Sequence, residues 1–128
     1  MLFFIQQIME TLRSNELRIG NHTSLGYVYL IENNNYYVIN DECTSYKNTW
    51  AEINPIPLTE EWLVKFGLIR IGFNEDGNDI YTKGMEADVW IIKCGDVCWL
   101  YQYDYEIKYV HSLQNLYFAL TGEELTIN

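Results

Sequence analysis

The stretch from residue 55 to residue 67, PIPLTEEWLVKFG, contains its own start and stop signals for a short helix. Thr59 is a residue type that caps the free amides of a first turn, and the two glutamates after it place negative charge at the positive end of the helix dipole. Leu58 and Leu63 are spaced for a hydrophobic staple, and Gly67 supplies a left-handed stop. These signals predict a helix that the rest of the chain must pack around.

The rest of the chain is rich in strand formers. It has 128 residues, 48% of them hydrophobic, with Tyr 11, Phe 5 and Trp 4, which suits one domain with a β-sheet better than a helical bundle. We expect residues 1–14 to be an N-terminal extension and residues 15–128 to form a single α+β domain. A second helix is predicted from His111 to Leu120, with Gly122 as its stop.

Alternating apolar residues and turn signals predict the strands. They are expected at Leu17–Asn21, Gly26–Ile31, Tyr36–Ile39, Thr49–Ile53, Leu68–Phe73, Ile80–Lys83, Ala87–Lys93 and Val97–Tyr103, with an extension at Tyr105–Tyr109. The predicted fold is a twisted antiparallel sheet or a small open β-barrel, with the two short helices packed against it.

Residues 1–13 form an amphipathic pattern. Apolar residues recur at helical spacing, at Leu2, Ile5, Met9 and Leu12. Such a helix either packs on the domain or binds a partner, including a second copy of the chain. Its polar face lacks the Lys/Arg density of a membrane-surface helix, so we expect no membrane contact.

Charge and cysteine content limit the classes of function. Eight basic against 18 acidic residues give a net charge of −10 and a pI near 4.4, which opposes binding to free nucleic acid or to anionic membranes. A protein partner with a basic patch is easier to accommodate. Three cysteines do not make a disulfide framework, and no apolar run approaches the roughly 20 residues that cross a bilayer. We expect a cytoplasmic protein.

Few residue patterns suggest chemistry. The acidic stretch Asn74–Asp79 resembles a calcium loop in composition, but it lacks the twelfth-position glutamate of an EF-hand, so a hairpin turn is expected. Cys94 and Cys98 flank a Gly-Asp turn and could face each other across a hairpin, although two thiols in or near the core are the default. His111 is expected to cap its helix or lie at the surface. We predict no catalytic residue, no metal site and no cofactor.

An alternating tyrosine run is the strongest candidate for a binding surface. In a single strand Tyr101, Tyr103 and Tyr105 would share one face, which would serve either as sheet core or as a protein-binding surface. Together with nearby acids they form the predicted partner-binding set: Tyr101, Tyr103, Tyr105, Asp104, Glu75, Asp76 and Asp79.

Three segments resemble the sequences of known proteins: residues 15–21 (NELRIGN), 55–67 (PIPLTEEWLVKFG) and 109–125 (YVHSLQNLYFALTGEEL). They resemble a family of small uncharacterised proteins from Bacteroidetes genomes, prophages and phages. The resemblance implies a phage or mobile-element setting and brings no activity or site residue with it. Members of that family begin close to the first segment, so residues 1–13 depart from the pattern.

These observations lead to three functional hypotheses. The first is a non-enzymatic accessory protein of phage or mobile-element origin that binds a host or viral protein, as an acidic mimic of nucleic acid that counters host defence. The second is a protein that binds or sequesters a small nucleotide signal, using an aromatic pocket and Arg13, Arg18 and Arg70. The third, an enzyme using Cys or His, is the least favoured, because nothing around Cys43, Cys94 or Cys98 shows the electropositive setting that lowers the pKa of a thiol.

Overall fold

The computed structural model describes residues 17–32, 35–48, 54–83, 89–101 and 105–127. Two helices and nine strands lie in these ranges. In chain order they are β1 (His22–Thr23), β2 (Gly26–Glu32), β3 (Asn35–Ile39), β4 (Ser45–Asn48), α1 (Glu60–Lys65), β5 (Ile69–Phe73), β6 (Asp79–Thr82), β7 (Trp90–Cys94), β8 (Val97–Leu100), β9 (Tyr105–Ile107) and α2 (Val110–Thr121).

The predicted α+β class is confirmed, and every described strand pair is antiparallel. The prediction of one sheet or open barrel is wrong, because the described strands form two sheets of order β1-β2-β3-β4 and β5-β6-β7-β8-β9. The chain leaves the first sheet and enters the second through Pro55, Pro57 and α1. Proline lacks the N–H that continues a strand ladder, so this connection separates the sheets.

The five-stranded sheet carries the main hydrophobic core on one face. Tyr81, Ile91 and Leu100 lie side by side on β6, β7 and β8, and all three are buried. Both helices pack on this inner face, as the sequence predicts. Apolar side chains of α1 and α2 complete the core: Leu63, Phe66, Val110, Leu113, Leu116 and Tyr117.

Helix α1 ends as its sequence predicts and begins differently. Gly67 has a φ of 84°, and its N–H donates to the Val64 carbonyl while the Leu68 N–H donates to the Leu63 carbonyl at 3.0 Å. These two bonds are a Schellman motif, closed by the packing of Leu63 and Leu68 in the core. Thr59 occupies the N-cap position with extended backbone, but its side chain makes no capping hydrogen bond, so the predicted side-chain cap is wrong.

Helix α2 is buried on more than one side. It runs from Val110 to Thr121 and ends at Gly122, whose φ of 76° matches the predicted stop. The five-stranded sheet covers its apolar stripe, while the β1 end of the first sheet contacts another side. His111 is 1% exposed and stacks on Tyr109 with ring centroids 5.7 Å apart. The expectation of a surface or capping histidine is therefore wrong.

One predicted strand in the first sheet is wrong. Residues 17–21 form a turn, in which the Asn21 N–H donates to the Arg18 carbonyl at 3.0 Å. Gly20, with φ 96°, permits this turn. The predicted strand Thr49–Ile53 lies outside the described residues, and a strand that the sequence did not indicate, β4, pairs with β3 just before it.

Polar contacts join the first sheet to α2, and we call them the inter-sheet seam (Arg18, Asn21, His22, Gln114, Asn115 and Glu124). The Gln114 side chain is central: its Nε2 donates to the Gly20 carbonyl at 2.9 Å, and its Oε1 accepts from the His22 N–H at 2.9 Å. The Arg18 guanidinium donates to Asn115 Oδ1 at 2.8 Å and to both carboxylate oxygens of Glu124. Hydrogen bonds satisfy these groups where the sheets meet.

The three sequence segments that carry the family resemblance meet at this region. The first segment supplies Arg18 and Asn21, and the third supplies their partners on α2. The second segment bonds to the third through the Ile56 carbonyl, which accepts from the Val110 N–H at 2.9 Å, and through a bridge between Pro57 and Tyr109. Each segment therefore forms backbone or side-chain hydrogen bonds with another of the three.

His22 makes the stability of the seam dependent on pH. Its imidazole packs against Trp62 and Phe66, with ring centroids 5.3 and 5.9 Å away. Burial lowers the pKa of His22 below its usual 6.5; Asp41 opposes this shift and Lys65 adds to it. Because the folded state favours the neutral ring, its contribution to stability is present above pH 6.5 and is lost as the pH falls toward the folded pKa.

We therefore expect the chain to lose part of its free energy of unfolding as the pH falls below 6.5, and His22→Gln to lose less over the same interval. Urea denaturation at several pH values measures this for both proteins. Comparing the two removes the contribution of carboxylates, which both chains share. Parallel pH profiles would show that His22 is not responsible.

The predicted N-terminal helix, residues 1–13, lies outside the described residues. None of the helices that the structure describes is long and apolar enough to cross a membrane.

Candidate functional site

The outer face of the five-stranded sheet, opposite the core, is also apolar. Ile80, Ile92 and Trp99 lie side by side across β6, β7 and β8 and are half-buried. At one end of this face the Trp90 and Tyr101 rings meet with centroids 5.7 Å apart. The sheet therefore presents aromatic and aliphatic side chains on both of its faces, and α1 and α2 pack on the inner one.

A groove of about 260 Å³ opens on this outer face, and we call it the outer groove. Trp99 and Ile92 provide apolar lining, and Tyr101, 46% exposed, provides an aromatic side. The turn between β5 and β6 contributes polar lining through Asp76 and its neighbours. The full lining is Asn74, Asp76, Asn78, Ile92, Cys94, Trp99, Leu100 and Tyr101.

The acidic turn beside the groove is rigidly built. Asn74 Oδ1 accepts from the backbone N–H groups of Asp76, at 3.1 Å, and Asn78, at 2.9 Å. This Asx-type arrangement confirms the predicted hairpin turn. It uses an asparagine to hold the loop and leaves the carboxylates of Glu75 and Asp76 at the exposed surface. Asp76 therefore brings negative charge to a groove that Trp99 and Tyr101 also line.

The structure brings together only part of the predicted partner-binding set. Asp76 and Tyr101 line the outer groove, and Glu75 lies on the same turn. Asp79 belongs to the inner face, where its carboxylate accepts from Arg70 Nε at 2.7 Å. Tyr103 and Asp104 lie outside the described residues.

The predicted tyrosine stripe on one strand is wrong. Leu100 at the end of β8 pairs with Tyr105 at the start of β9, so the chain reverses direction between Tyr101 and Tyr105. Tyr105 is half-buried against the core, and burial raises its pKa. Tyr101 instead stands beside Trp90, whose carbonyl accepts its N–H at 2.9 Å. The two tyrosines therefore lie on different faces of the sheet.

Sequence reasoning missed Trp90, Ile92 and Trp99. A signal was present: Trp90, Ile91 and Ile92 are consecutive apolar residues, and such a run in a strand places apolar side chains on both faces. An antiparallel sheet with one face packed on helices usually presents alternating polar residues on the other. This departure makes the outer face a candidate contact surface.

A second cavity, of about 440 Å³, opens at the start of α1. Its charged lining residues are Glu60, Glu61, Lys93 and Asp96, three of them acidic. Glu60 accepts a hydrogen bond from the Tyr81 hydroxyl at 2.7 Å. Burial, together with this bond, raises the pKa of Tyr81 to about 12, so the hydroxyl stays protonated and holds the carboxylate in place.

The cysteines are separated. Cys94 pairs with Val97, and Cys98 pairs with Lys93, so the two thiols project from opposite faces of the hairpin. The prediction that they could face each other is wrong. Cys98 is buried, as the default predicted, whereas Cys94 is exposed. Burial raises the pKa of the Cys98 thiol to about 11, which keeps this sulfur a weak nucleophile at neutral pH.

Among the described residues, no three His, Cys, Asp or Glu side chains are grouped as metal ligands would be. No protein-family model, curated protein or solved structure matches the chain. The likeness of the three segments to phage and Bacteroidetes proteins thus stays a prediction. The outer groove, with its aromatic and acidic lining, is the candidate binding site.

Proposed function

We propose that this chain is a non-enzymatic accessory protein of phage or mobile-element origin that binds a basic host or viral protein through the outer groove. The observation that carries this proposal is the position of Asp76 in one groove with Trp99 and Tyr101, on an acidic turn that also holds the exposed Glu75. Aromatic rings flanked by carboxylates suit the side chains of arginine and lysine.

The physical basis is cation–π attraction combined with charge-assisted hydrogen bonding. A guanidinium over an aromatic face gains roughly 0.5–1 kcal/mol when exposed and about 2 kcal/mol when desolvated. A carboxylate beside it can accept in the same plane, and such bonds are among the strong ones in proteins. Asp76 and Tyr101 provide one group of each kind at the groove.

The charge of the whole chain supports the same partner. A net charge of −10 steers a basic protein toward the molecule and repels free nucleic acid. An acidic protein that occupies the nucleic-acid site of a cytoplasmic host enzyme would act as a mimic and counter host defence. The phage setting implied by the three segments suits that role.

The nucleotide-signal hypothesis has less support. Arg18 is engaged by Glu124 at 2.7 Å, and Arg70 is engaged by Asp79 at 2.7 Å. A phosphate would have to displace a carboxylate from either arginine. Arg13 lies outside the described residues, so no described arginine favours this alternative.

A pull-down with the tagged chain from the lysate of a Bacteroidetes host, read by mass spectrometry, tests the proposal. We expect a basic partner that is retained at about 0.1 M salt and lost at about 1 M, where the Debye length falls from about 10 Å to about 3 Å. The double variant Glu75→Gln, Asp76→Asn and the single variant Tyr101→Ala should each weaken binding by roughly tenfold.

The matched control is Asp41→Asn, Glu42→Gln, which removes the same charge from an adjacent acid pair in an exposed turn of the first sheet. It should retain the partner. An equal loss of binding in both double variants would show that only the net charge matters. The outer groove would then not be the binding site. A complex indifferent to salt and to all three variants would contradict the proposal.

A further inference from the structure

The apolar outer face of the five-stranded sheet extends beyond the outer groove and has acidic groups at its border. Directly paired residues of neighbouring strands have their side chains on the same face. Gly72 and Glu106 therefore lie in one row with Ile80, Ile92 and Trp99. This row runs from β5, across three apolar side chains, to a carboxylate on β9.

The rows on either side of this one are uncharged. Ile69, Thr82 and Trp90 form one of them, and Cys94 and Val97 form the other. Ile69 is 57% exposed and Trp90 is 37% exposed. The apolar surface that a partner could cover is therefore larger than the outer groove alone.

The basic residues of these strands lie on the inner face. Arg70 pairs with Tyr81, and Lys93 pairs with Cys98, and both of these partners are buried in the main core. Among the described residues of β5 to β9, no Lys or Arg therefore lies on the outer face. The charged groups at its border are carboxylates, on the turn between β5 and β6 and on β9. Charge complementarity thus selects a cationic partner.

A segment bound at the centre of this face cannot be an added strand. Ile92 and Trp99 belong to β7 and β8, and each of these strands is already paired on both sides. Strand addition requires free backbone N–H and C=O groups at the edge of a sheet. A segment that lies on the face must satisfy its own backbone groups, and an α-helix does so internally.

The dimensions of the face match those of one helix. The row from Ile80 to Trp99 covers two strand spacings, about 10 Å, and a helix with its side chains is about 10–12 Å wide. Along β7, the four residue steps from Cys94 to Trp90 cover about 14 Å, which a helix spans in about nine residues. The inner face of the same strands already packs against α2.

We propose that the outer face binds a basic amphipathic helix of the partner protein. This inference rests on the proposed function, because it uses the same surface and specifies the partner. Apolar side chains of the bound helix, recurring every three or four residues, pack on Ile80, Ile92 and Trp90. An arginine at the border of the helix enters the outer groove beside Asp76, and a second basic residue faces Glu106.

Charge distinguishes this partner from the chain itself. Residues 1–13 are amphipathic, but Arg13 is their only basic residue. A second copy of the chain carries the same net charge of −10. Neither one complements the carboxylates at the border of the face, whereas a basic helix does.

Isothermal titration calorimetry of the full chain with synthetic peptides tests the proposal. The probe is a peptide of about 16 residues with leucines along one helical face and arginines on both sides of them. One matched peptide distributes the same residues evenly around the helix, and another carries a central proline that breaks it. We expect a dissociation constant of about 10–100 μM for the probe, as for a contact below roughly 1,200 Å², and at least about tenfold weaker binding of the matched peptides.

Two variants of the chain locate the binding surface. Ile92→Lys should abolish detectable binding of the probe, because it places a like charge at the centre of the face. Glu106→Gln should weaken binding about threefold, and this residue does not line the outer groove. The controls Val64→Lys and Glu42→Gln make the same changes at exposed positions outside the face and should bind the probe normally. Circular dichroism of each variant shows that it is folded.

Four results would overturn the proposal: no binding of the probe, equal binding of the evenly distributed peptide, equal or tighter binding of the proline peptide, and unchanged binding in both Ile92→Lys and Glu106→Gln. Equal binding of the evenly distributed peptide would leave only net charge, and tighter binding of the proline peptide would indicate an extended partner segment. The pull-down tests the proposed function separately. A basic partner that is lost in Tyr101→Ala, together with any of these four results, would keep the proposed function and remove the helix.

Discussion

Phe66→Ala is expected to lower the free energy of unfolding by about 3–5 kcal/mol, a large part of the total stability of a domain of this size. Phe66 is fully buried in the main core. Its ring also contacts Trp62 and His22, with centroids 5.6 and 5.9 Å away. Alanine would leave a cavity where α1, the five-stranded sheet and the seam meet. The loss of stability should therefore lie at the upper end of the range for a Phe→Ala substitution.

Urea denaturation followed by circular dichroism and tryptophan fluorescence measures this change. The control is Val64→Ala in the same helix, where the side chain is 60% exposed and the expected change is below about 0.5 kcal/mol. A loss of less than about 1 kcal/mol for Phe66→Ala would mean that neighbouring side chains collapse into the space. The core around α1 would then be less tightly packed than the structure shows.

Gln114→Leu should cost about 2–5 kcal/mol, from two backbone groups that lose their partners. Leucine fills the site with an apolar side chain of similar length, so the main loss is of hydrogen bonds. The His22 N–H and the Gly20 carbonyl, however, each lose a hydrogen bond of 2.9 Å at a position where Gln114 is 1% exposed. An orphaned buried polar group costs roughly 1–3 kcal/mol.

Denaturation compares this variant with Ala119→Leu, which introduces leucine at an exposed position of α2 and should change the stability little. Hydrogen exchange gives a local readout, since the His22 amide should exchange faster in Gln114→Leu. Unchanged stability together with an unchanged exchange rate at His22 would show that water replaces the glutamine without cost. Because His22 also touches Phe66, the effects of Phe66→Ala and Gln114→Leu should not add.

Local signals in the sequence were reliable guides to the ends of elements. Gly67 and Gly122 adopt the left-handed conformation because no other residue enters it at so small a cost, and each ends a helix as predicted. The hairpin of β5 and β6 follows from Asn74, whose side chain organises the turn. These are interactions between residues a few positions apart, so a single sequence contains them.

Long-range pairing was not predictable in the same way. Residues 100–105 contain neither glycine nor proline, so the reversal that pairs Leu100 with Tyr105 resembles a continuing strand in the sequence. The division into two sheets depends on which strands do not pair with each other. The spacing of apolar residues along a strand carries no information about that. Gln114 and Asn115 look like the polar face of a surface helix. They are buried because the first sheet and the turn before it present Asn21 and the backbone of His22 to them.

The candidate site was found in part for the same reason. Asp76 and Tyr101 stood out by residue type, and the structure places both at the outer groove. The sequence placed Trp90 and Trp99 in strands but did not show on which face of the sheet their side chains lie. That face depends on which side of the sheet the helices cover. That choice is made by α1 and α2, whose core residues come from distant parts of the sequence.

The ion pair between Arg18 and Glu124 spans 106 positions of the chain with a separation of 2.7 Å. The path of the polypeptide from residue 18 to residue 124 is therefore nearly a closed ring. A segment of this kind can be inserted into a surface loop of a carrier protein, entering and leaving at neighbouring points without stretching the carrier. The same closeness suits the chain to circular permutation, provided that the buried Leu17 and Leu125 just outside the ion pair are kept, with new ends placed at the exposed turn between β5 and β6.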